Sequence, residues 1–323
     1  MASQWLELSV ECDPEAAEAV TELFGRYVEG GVAIEEPFGL EDDGQARVAM
    51  LGMPVTVRAY IPDDDRAPDV RARIEEGIWY LGRIDVGRVQ GVTVRRVAEE
   101  DWANAWKEHY QVLHLGARTV IKPSWRTYTP RADEVVVELD PGMAFGTGLH
   151  PTTRTCLRLL EEVVRPGDCV LDVGTGSGIL GIAALKLGAA RVLAVDVSAV
   201  AVETARANAA ANGLGERMDV RLATLRGAAS APFAPLAADV AVLDDEDGTF
   251  DVVVANIIAR VIADLAPALI RAIRPGGVLI ASGILDERID IAEAPLREAG
   301  LVNIERVPEG DWMSVTGRRT ATT

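Results

Sequence analysis

The sequence predicts an α/β protein of two domains, in which a doubly wound, mostly parallel sheet follows a smaller α+β domain. The length of 323 residues supports two domains, and 49% hydrophobic residues suffice for a core in each. After residue 168, strand-like and helix-like segments alternate, which is typical of a parallel sheet with helices on both faces. The first 97 residues instead show the order βαββαβ, which predicts a small split sheet with two helices on one face.

The amino-terminal elements follow from local patterns. Residues 5–11 alternate apolar and polar side chains as a half-buried strand does, and Asp13 and Pro14 can cap and start a helix that reaches about Val28. Further strands are expected at 32–36, 47–51, 54–61 and 92–97, with a second helix at 68–81. Because no catalytic cluster occurs here, we expect residues 1–97 to form a ferredoxin-like domain that recognises the substrate. A purely stabilising role is the alternative.

Residues 98–130 are expected to form a linker that contains a tryptophan-rich helix. Trp102 and Trp106 are four residues apart, so a helix would place both indoles on one face. Packing of that face against a domain is favoured over direct contact with a substrate. Short strands at 119–122 and 135–139 then lead into a catalytic domain that spans residues 131–323.

A glycine-rich turn joins the first strand of the parallel sheet to its helix. The strand at 169–173 runs into Gly174, Gly176 and Gly178, and glycine lets backbone N–H groups approach a ligand closely. Asp196 ends the next strand, where folds of this kind bind the two hydroxyl groups of a ribose. The sequence therefore predicts a nucleoside site at the carboxyl ends of these strands.

Asp172 helps to decide between the two nucleoside cofactors that this pattern allows, NAD and S-adenosylmethionine. Gly176, Gly178 and Gly181 satisfy the GxGxxG spacing of NAD sites, although a single match of this kind is a weak signal. A second carboxylate would repel a pyrophosphate, whereas it would attract a cationic amino acid or a sulfonium. S-adenosylmethionine is therefore favoured over NAD. A turn whose glycines only permit close packing would leave Asp172 and Asp196 unexplained.

Four segments together are similar to one bacterial family. They are DPGMAFGTGLHPTT at 140–153, DVGTGSGILGIAALKLGA at 172–189, VANI at 254–257 and the W-x-x-x-x-G-R of Trp312 to Arg318. The segments EEDWANAWKEHY at 99–110 and KPSW at 122–125 extend the similarity upstream. Over nearly its whole length the chain resembles the ribosomal protein L11 methyltransferase family, PrmA.

The resemblance implies a fold and an activity. The expected fold is that of class I S-adenosylmethionine-dependent methyltransferases, a Rossmann-like, seven-stranded, mostly parallel sheet into which residues 313–317 insert antiparallel. The expected activity is N-methylation of a large-subunit ribosomal protein, L11, on its α-amino group and on lysine ε-amino groups, with S-adenosylmethionine as the methyl donor.

The resemblance also implies site residues. It assigns cofactor contacts to Thr153, Gly174, Asp196 and Asn256, and it places the loop of Phe145, Gly146 and Thr147 over the methionine end of the cofactor. With the two residues that the glycine turn itself suggests, the candidate cofactor site comprises Phe145, Gly146, Thr147, Thr153, Asp172, Gly174, Gly176, Asp196 and Asn256.

Asn256 is the candidate catalytic residue, because its amide oxygen can accept amine protons and aim the nitrogen lone pair at a methyl group. At pH 7, deprotonating a lysine with a pKa of ~10.4 costs about 4.6 kcal/mol, against roughly 1 kcal/mol for an α-amino group. Burial beside a sulfonium lowers an amine's pKa, so much of this cost disappears without a general base. His150 is the nearest base by sequence, but we expect it to shape the loop before a helix that begins at Pro151.

Charge and composition limit which partners and cofactors the chain can have. A net charge of −18 opposes a nucleic-acid substrate held by its backbone and favours a basic protein, and residues 1–97 alone hold 19 Asp and Glu against 10 Arg. Neither the three cysteines nor the three histidines show a metal-ligand spacing, so no metal is expected. The sequence shows no export signal and no membrane span. We therefore expect a cytoplasmic, monomeric enzyme.

Two functional alternatives remain open, and one segment departs from the family pattern. An RNA or DNA amino-methyltransferase would present Asn-Pro-Pro-Tyr to stack a flipped base, whereas Asn256 is followed by Ile257, Ile258 and Ala259. A non-catalytic S-adenosylmethionine-binding assembly protein is the other alternative. The Ala-, Pro- and Asp-rich segment 228–247 is longer than the family's connection, and we expect a solvated surface insertion.

Overall fold

The computed structural model describes residues 4–13, 16–25, 27–28, 32–35, 38–40, 47–49, 53–83, 87–98, 112–139, 150–226, 240–243 and 247–320. The chain divides into two compact units, Met1–Gln111 with Pro141–Met143 and Val112–Asp140 with Ala144–Thr323. The predicted tryptophan helix and the loop of Phe145, Gly146 and Thr147 lie outside the described residues.

The amino-terminal unit has the predicted ferredoxin-like arrangement. Its elements are β1 (Gln4–Cys12), α1 (Ala17–Gly25), β2 (Val32–Glu35), β3 (Phe38–Leu40), β4 (Arg47–Ala49), β5 (Val55–Pro62), α2 (Ala67–Leu81) and β6 (Thr93–Ala98). The main sheet has the order β2-β5-β1-β6, antiparallel throughout, while β3 and β4 pair with each other. Alternate residues of β1 and β5, among them Leu8 and Val57, are buried with Phe24 of α1 and Ile74 of α2. Both helices therefore cover the same face of the sheet.

Helix α1 is shorter than predicted at both ends. Its bounds are Ala17 and Gly25, rather than the residues after Asp13 and about Val28. Oδ2 of Asp13 accepts a hydrogen bond from the backbone N–H of Arg88 at 2.8 Å, and the backbone carbonyl of Asp13 accepts one from the N–H of Ala16 at 2.9 Å. Residues 14 and 15, which the predicted cap involves, lie outside the described residues.

The second unit contains the mostly parallel sheet. Its strands are β7 (Leu113–His114), β8 (Thr119–Lys122), β9 (Val135–Glu138), β10 (Cys169–Val173), β11 (Arg191–Asp196), β12 (Met218–Leu225), β13 (Ala241–Leu243), β14 (Phe250–Asn256), β15 (Ile273–Leu285), β16 (Leu301–Glu309) and β17 (Trp312–Arg319). Its helices are α3 (Pro151–Val163), α4 (Ile179–Leu187), α5 (Ala199–Ala211), α6 (Ala259–Ala272) and α7 (Ile289–Glu298). The large sheet has the order β13-β12-β11-β10-β14-β15-β17-β16, and only β17 runs antiparallel to its neighbours. The predicted Rossmann-like fold and the antiparallel insertion of the final segment are confirmed.

The sheet has an eighth strand that the sequence does not predict. Residues 241–243, within the expected solvated insertion, pair in parallel with residues 223–225 of β12. The side chain of Val242 is 51% exposed, so the new strand forms an open edge. These three residues therefore lie at the surface, as expected, but they form a strand, because the free edge of β12 offers backbone hydrogen bonds that composition does not reveal.

Helices cover both faces of this sheet, so the central strands are buried on both sides. In β10, Val170 packs with the layer of α3, α4 and α5, whereas Leu171 packs with the layer of α6 and α7. The same alternation runs through β11, β14 and β15. Which face a side chain joins therefore depends on its position within the strand.

A small sheet precedes α3 and is held by one carboxylate. β8 pairs antiparallel with β7 and parallel with β9. Near the carboxyl end of α3, Glu161 accepts hydrogen bonds from the backbone N–H groups of Arg118 and Thr119 at 3.0 and 2.6 Å and from the Thr119 hydroxyl at 2.6 Å. These bonds fix the β7–β8 turn against α3.

Two features are absent from the described residues. None of their helices combines the length and apolar character that crossing a membrane requires. No group of three His, Cys, Asp or Glu side chains within them could hold a metal ion.

Candidate functional site

The glycine turn between β10 and α4 adopts a backbone that favours glycine. Gly174, Gly176 and Gly178 have φ angles of +72°, +54° and +84°, in the left-handed region. A Cβ atom on Gly174 would lie 2.4 Å from Cγ2 of Ile257, so this position is crowded as well. The N–H groups of Gly174 and Thr175 donate to the carbonyl of Val195 at 2.9 and 3.1 Å, which ties the turn to the end of β11.

Asp172 lies beneath this turn with 0% of its surface exposed. Its Oδ2 accepts hydrogen bonds from the Thr175 hydroxyl at 2.7 Å and the Gly181 N–H at 3.1 Å, so the carboxylate joins β10, the turn and α4. Oδ1 is buried without a hydrogen-bond partner among the described residues. Burial raises the pKa of Asp172 to about 6. A buried carboxylate with one oxygen unpaired is costly unless something else satisfies it.

Asp196 ends β11, and each of its carboxylate oxygens accepts a hydrogen bond from a backbone N–H group. Oδ2 accepts from the N–H of Gly176 at 3.0 Å, and Oδ1 accepts from the N–H of Ser198 at 2.9 Å. Burial raises the pKa of Asp196 as well. Because a carboxylate oxygen can accept more than one hydrogen bond, each oxygen retains capacity for a hydroxyl donor.

Asn256 ends β14 and contacts the first turn of α3. Its Nδ2 donates to Oγ1 of Thr153 at 3.3 Å, and Thr153 is buried. The amide nitrogen is thus engaged with Thr153, which leaves the amide oxygen as an acceptor for another group. The two residues are 103 positions apart in the sequence.

His150 caps α3, which begins at Pro151 as predicted. Its Nδ1 accepts the backbone N–H of Thr152 at 3.4 Å and lies 2.7 Å from the Thr152 hydroxyl. Burial, with the nearby charge of Arg154, lowers the pKa of His150 to about 4. The ring therefore stays neutral near pH 7 with Nδ1 engaged in the cap, which favours a structural role over a general base.

The structure brings the described candidate residues to one edge of the sheet. Asp172, Asp196 and Asn256 belong to the last two residues of β10, β11 and β14, which are neighbours in the order β11-β10-β14. Each lies two positions after a strand residue that packs with the layer of α3 to α5. These strand residues are Val170, Ala194 and Val254, so the three candidate residues share that face of the sheet. Gly174 and Gly176 lie at the same edge, and Thr153 approaches it from α3.

Three residues that support the site are not predicted from the sequence. Thr175 and Ser198 hydrogen-bond Asp172 and Asp196, and Nδ2 of Asn208 on α5 donates to the carbonyl of Ser177 in the glycine turn at 2.8 Å. A serine before a helix is a capping signal that could have identified Ser198. No local signal predicts Asn208, because its partner is 31 residues away.

Comparisons with known proteins identify the family. The family model described as ribosomal protein L11 methyltransferase (PrmA) matches residues 4–320. The ribosomal protein L11 methyltransferases of Chloroflexus aurantiacus and Herpetosiphon aurantiacus are 46% and 45% identical to the chain, and each comparison covers 98% of it and at least 98% of the relative. The crystal structure of ribosomal protein L11 methylase from Lactobacillus delbrueckii subsp. bulgaricus is 36% identical with a TM-score of 0.51, over 65% of this chain and 100% of that one. The chain therefore belongs to the ribosomal protein L11 methyltransferase family and is an S-adenosylmethionine-dependent methyltransferase.

Proposed function

We propose that the chain methylates ribosomal protein L11 on its α-amino group and on lysine ε-amino groups. The observation that supports this most is the meeting of the glycine turn, Asp196 and Asn256 at the carboxyl ends of adjacent strands in a member of this family. The relatives are ribosomal protein L11 methyltransferases, and the close similarity over nearly the whole chain supports the same substrate for this one.

The described residues fit S-adenosylmethionine. Gly174 keeps the turn open where a Cβ atom would clash, and the unpaired Oδ1 of Asp172 fits a nearby positive charge better than a pyrophosphate. Asp196 would hold the ribose hydroxyls, while Thr153 and Asn256 would lie toward the methionine end. Asp172 would act from beneath the turn through its charge, since it is fully buried. The roles of Phe145, Gly146 and Thr147 over the cofactor remain predictions.

Bound S-adenosylmethionine supplies a methyl group on a cationic sulfonium, and the protein must present a neutral amine to it. The oxygen of the Asn256 amide accepts a hydrogen bond from the amine N–H and fixes the direction of the lone pair. His150 does not serve as the base, because its low pKa and its role as a helix cap keep Nδ1 engaged. Exclusion of water around the amine lowers its pKa and removes much of the deprotonation cost.

We assign substrate recognition to residues 1–97, the linker to 98–130 and catalysis to 131–323. Helix α2 carries Trp79 and Tyr80, which are 53% and 58% exposed and meet edge to face at 5.0 Å. Arg83 stacks on Trp79 at 3.8 Å. Large exposed aromatic side chains are uncommon on a free surface and frequent where proteins bind. On this acidic domain they fit a basic protein that also offers an apolar side chain, which supports L11 as the occupant.

The remaining assignments are a cytoplasmic location, a monomeric state and no direct contact with nucleic acid or membrane.

An acceptor assay tests the proposed function. The full chain is incubated with S-adenosylmethionine labelled in the methyl group and a ribosomal extract, and the label is then followed into separated protein and RNA. We expect label in one protein of the size of L11. Label in RNA, or in no macromolecule while the cofactor binds, contradicts the proposal.

A further inference from the structure

The segment from Trp312 to Arg318 has no part in the site described above, although it marks the family resemblance. It begins β17, directly after the turn that joins β16 to β17. Residues 309–314, here named the 309–314 hairpin, contact α3 and its N-cap directly through Glu309 and Trp312, and through Ser282 of β15 by way of Ser314. Because α3 also carries Thr153, these contacts bear on the position of Asn256.

The first contact is a carboxylate that receives three donors from one helix. Glu309 accepts from Nε of Arg154 at 2.9 Å, from Oγ1 of Thr155 at 2.6 Å and from Nη2 of Arg158 at 2.8 Å. Its side chain is mostly buried. Hydrogen bonds to a charged carboxylate are stronger and geometrically tighter than neutral ones, so Glu309 restricts both rotation and sliding of α3.

The second and third contacts hold the start of the same helix. Trp312 meets His150 edge to face, with ring centroids 4.6 Å apart, and His150 is the N-cap of α3. The hydroxyl groups of Ser314 and Ser282 lie 2.7 Å apart, and Ser282 Oγ also donates to the carbonyl of Thr152 at 3.5 Å. Ser282 is the cross-strand neighbour of Asn256.

We propose that the 309–314 hairpin is a positioning clamp for the methyl-transfer step. By fixing the first turn of α3, it holds Thr153 where Oγ1 accepts from Nδ2 of Asn256. In that bond Nδ2 faces Thr153, which leaves the amide oxygen of Asn256 to face the acceptor amine. An amide that turned over would present N–H donors to a group that must itself donate. The inference rests on the proposed role of Asn256.

The clamp should affect turnover more than cofactor affinity, because it acts on Thr153 and Asn256 at the methionine end and not on Asp196. Asp196 accepts hydrogen bonds from the backbone N–H groups of Gly176 in the glycine turn and of Ser198 before α5, and neither donor belongs to the hairpin. The part of the site proposed to hold the ribose is thus fixed by β10, β11 and α5, independently of Glu309 and Trp312. If the hairpin only stabilised the fold, changing it would lower stability but would not lower kcat selectively.

Glu161 provides a matched control on the same helix. It also collects several hydrogen bonds, but near the carboxyl end of α3 and from the β7–β8 turn. Glu309→Ala and Glu161→Ala should both lower the melting temperature. Only Glu309→Ala should lower kcat on L11, by at least about tenfold, with the Kd for S-adenosylmethionine changed less than about threefold. Trp312→Leu should act as Glu309→Ala does, and Trp312→Phe, which keeps a ring edge against His150, should recover most of the turnover.

The outcomes separate the clamp from the site itself. A folded Glu309→Ala chain with normal kcat overturns the clamp, as does an equal loss of kcat in Glu161→Ala or a parallel loss of cofactor affinity. If Glu309→Ala does not fold, the comparison of Trp312→Leu with Trp312→Phe decides in the same way. Asn256→Ala is measured alongside. Normal kcat there overturns the role of Asn256 and the clamp together, whereas reduced kcat there with normal kcat in Glu309→Ala overturns the clamp alone.

Discussion

Replacing Asp196 with alanine should weaken cofactor binding by about a hundredfold. In the structure, each carboxylate oxygen accepts one backbone N–H, from Gly176 or Ser198, and retains capacity for one ribose hydroxyl. Two hydrogen bonds to a charged group contribute ~1.5 to 3 kcal/mol each. Burial raises the pKa of Asp196, so its charged form is already partly desolvated before a ligand binds, and we use the lower end of the summed range. A net loss of about 3 kcal/mol corresponds to roughly a hundredfold in Kd.

Calorimetry with S-adenosylmethionine and its 2′-deoxyribose analogue gives the assay. The original chain should bind the deoxy analogue more weakly than the cofactor, whereas Asp196→Ala should bind the two nearly equally. Asp219→Ala is the control, because this exposed carboxylate on β12 forms an ion pair with Arg221. A Kd within twofold of the original chain, or an undiminished difference between the two ligands in Asp196→Ala, would refute the ribose contact.

Three further predictions concern other parts of the molecule. Because the pKa of Asp172 is about 6 in the folded chain against 3.8 when free, ionisation of this one group should remove about 3 kcal/mol of stability from the ligand-free fold as pH rises through that interval. Asp172→Asn should make the slope of stability against pH shallower in denaturant titrations, and an unchanged slope would contradict the raised pKa. Deleting 228–239 while retaining 240–243 should leave cofactor affinity within twofold by calorimetry, and a large loss would mean that the deleted segment helps to form the site. Serine at both Trp79 and Tyr80 should raise the KM for L11 at least about fivefold without changing the KM for S-adenosylmethionine, since the loss of one or two aromatic contacts weakens binding by this factor or more. An unchanged KM for L11 would show that α2 is not part of the docking surface.

The sequence predicts the strands and the glycine turn because their signals are local. Apolar runs such as 169–173 define buried strands, and the left-handed φ of Gly174 and Gly178 is a requirement that glycine alone meets easily. The sequence does not show where Asp172 points, because a strand buried on both faces lacks an alternation of polar and apolar residues. Only the packed helices reveal that its position shares a face with Val170.

The contacts that support the site are the least predictable part. Asn256 meets Thr153 across 103 residues, and Glu309 meets Arg154 across 155. Neither pair leaves a local pattern, because the partners become neighbours only when the sheet order brings β14 and β16 beside α3. Edge pairing likewise forms β13 in a segment whose composition predicts a loop. Long-range geometry therefore completes a site whose centre the local sequence predicts.

The most direct test of the account is mass spectrometry of purified L11 after incubation with S-adenosylmethionine and either the original chain or Asn256→Ala. The account predicts methyl groups on the α-amino group and on lysines with the original chain, and at least about tenfold fewer with Asn256→Ala at saturating cofactor. Unmodified L11 with the original chain would contradict the assigned substrate. Equal methylation by both chains would contradict the assignment of acceptor orientation to Asn256.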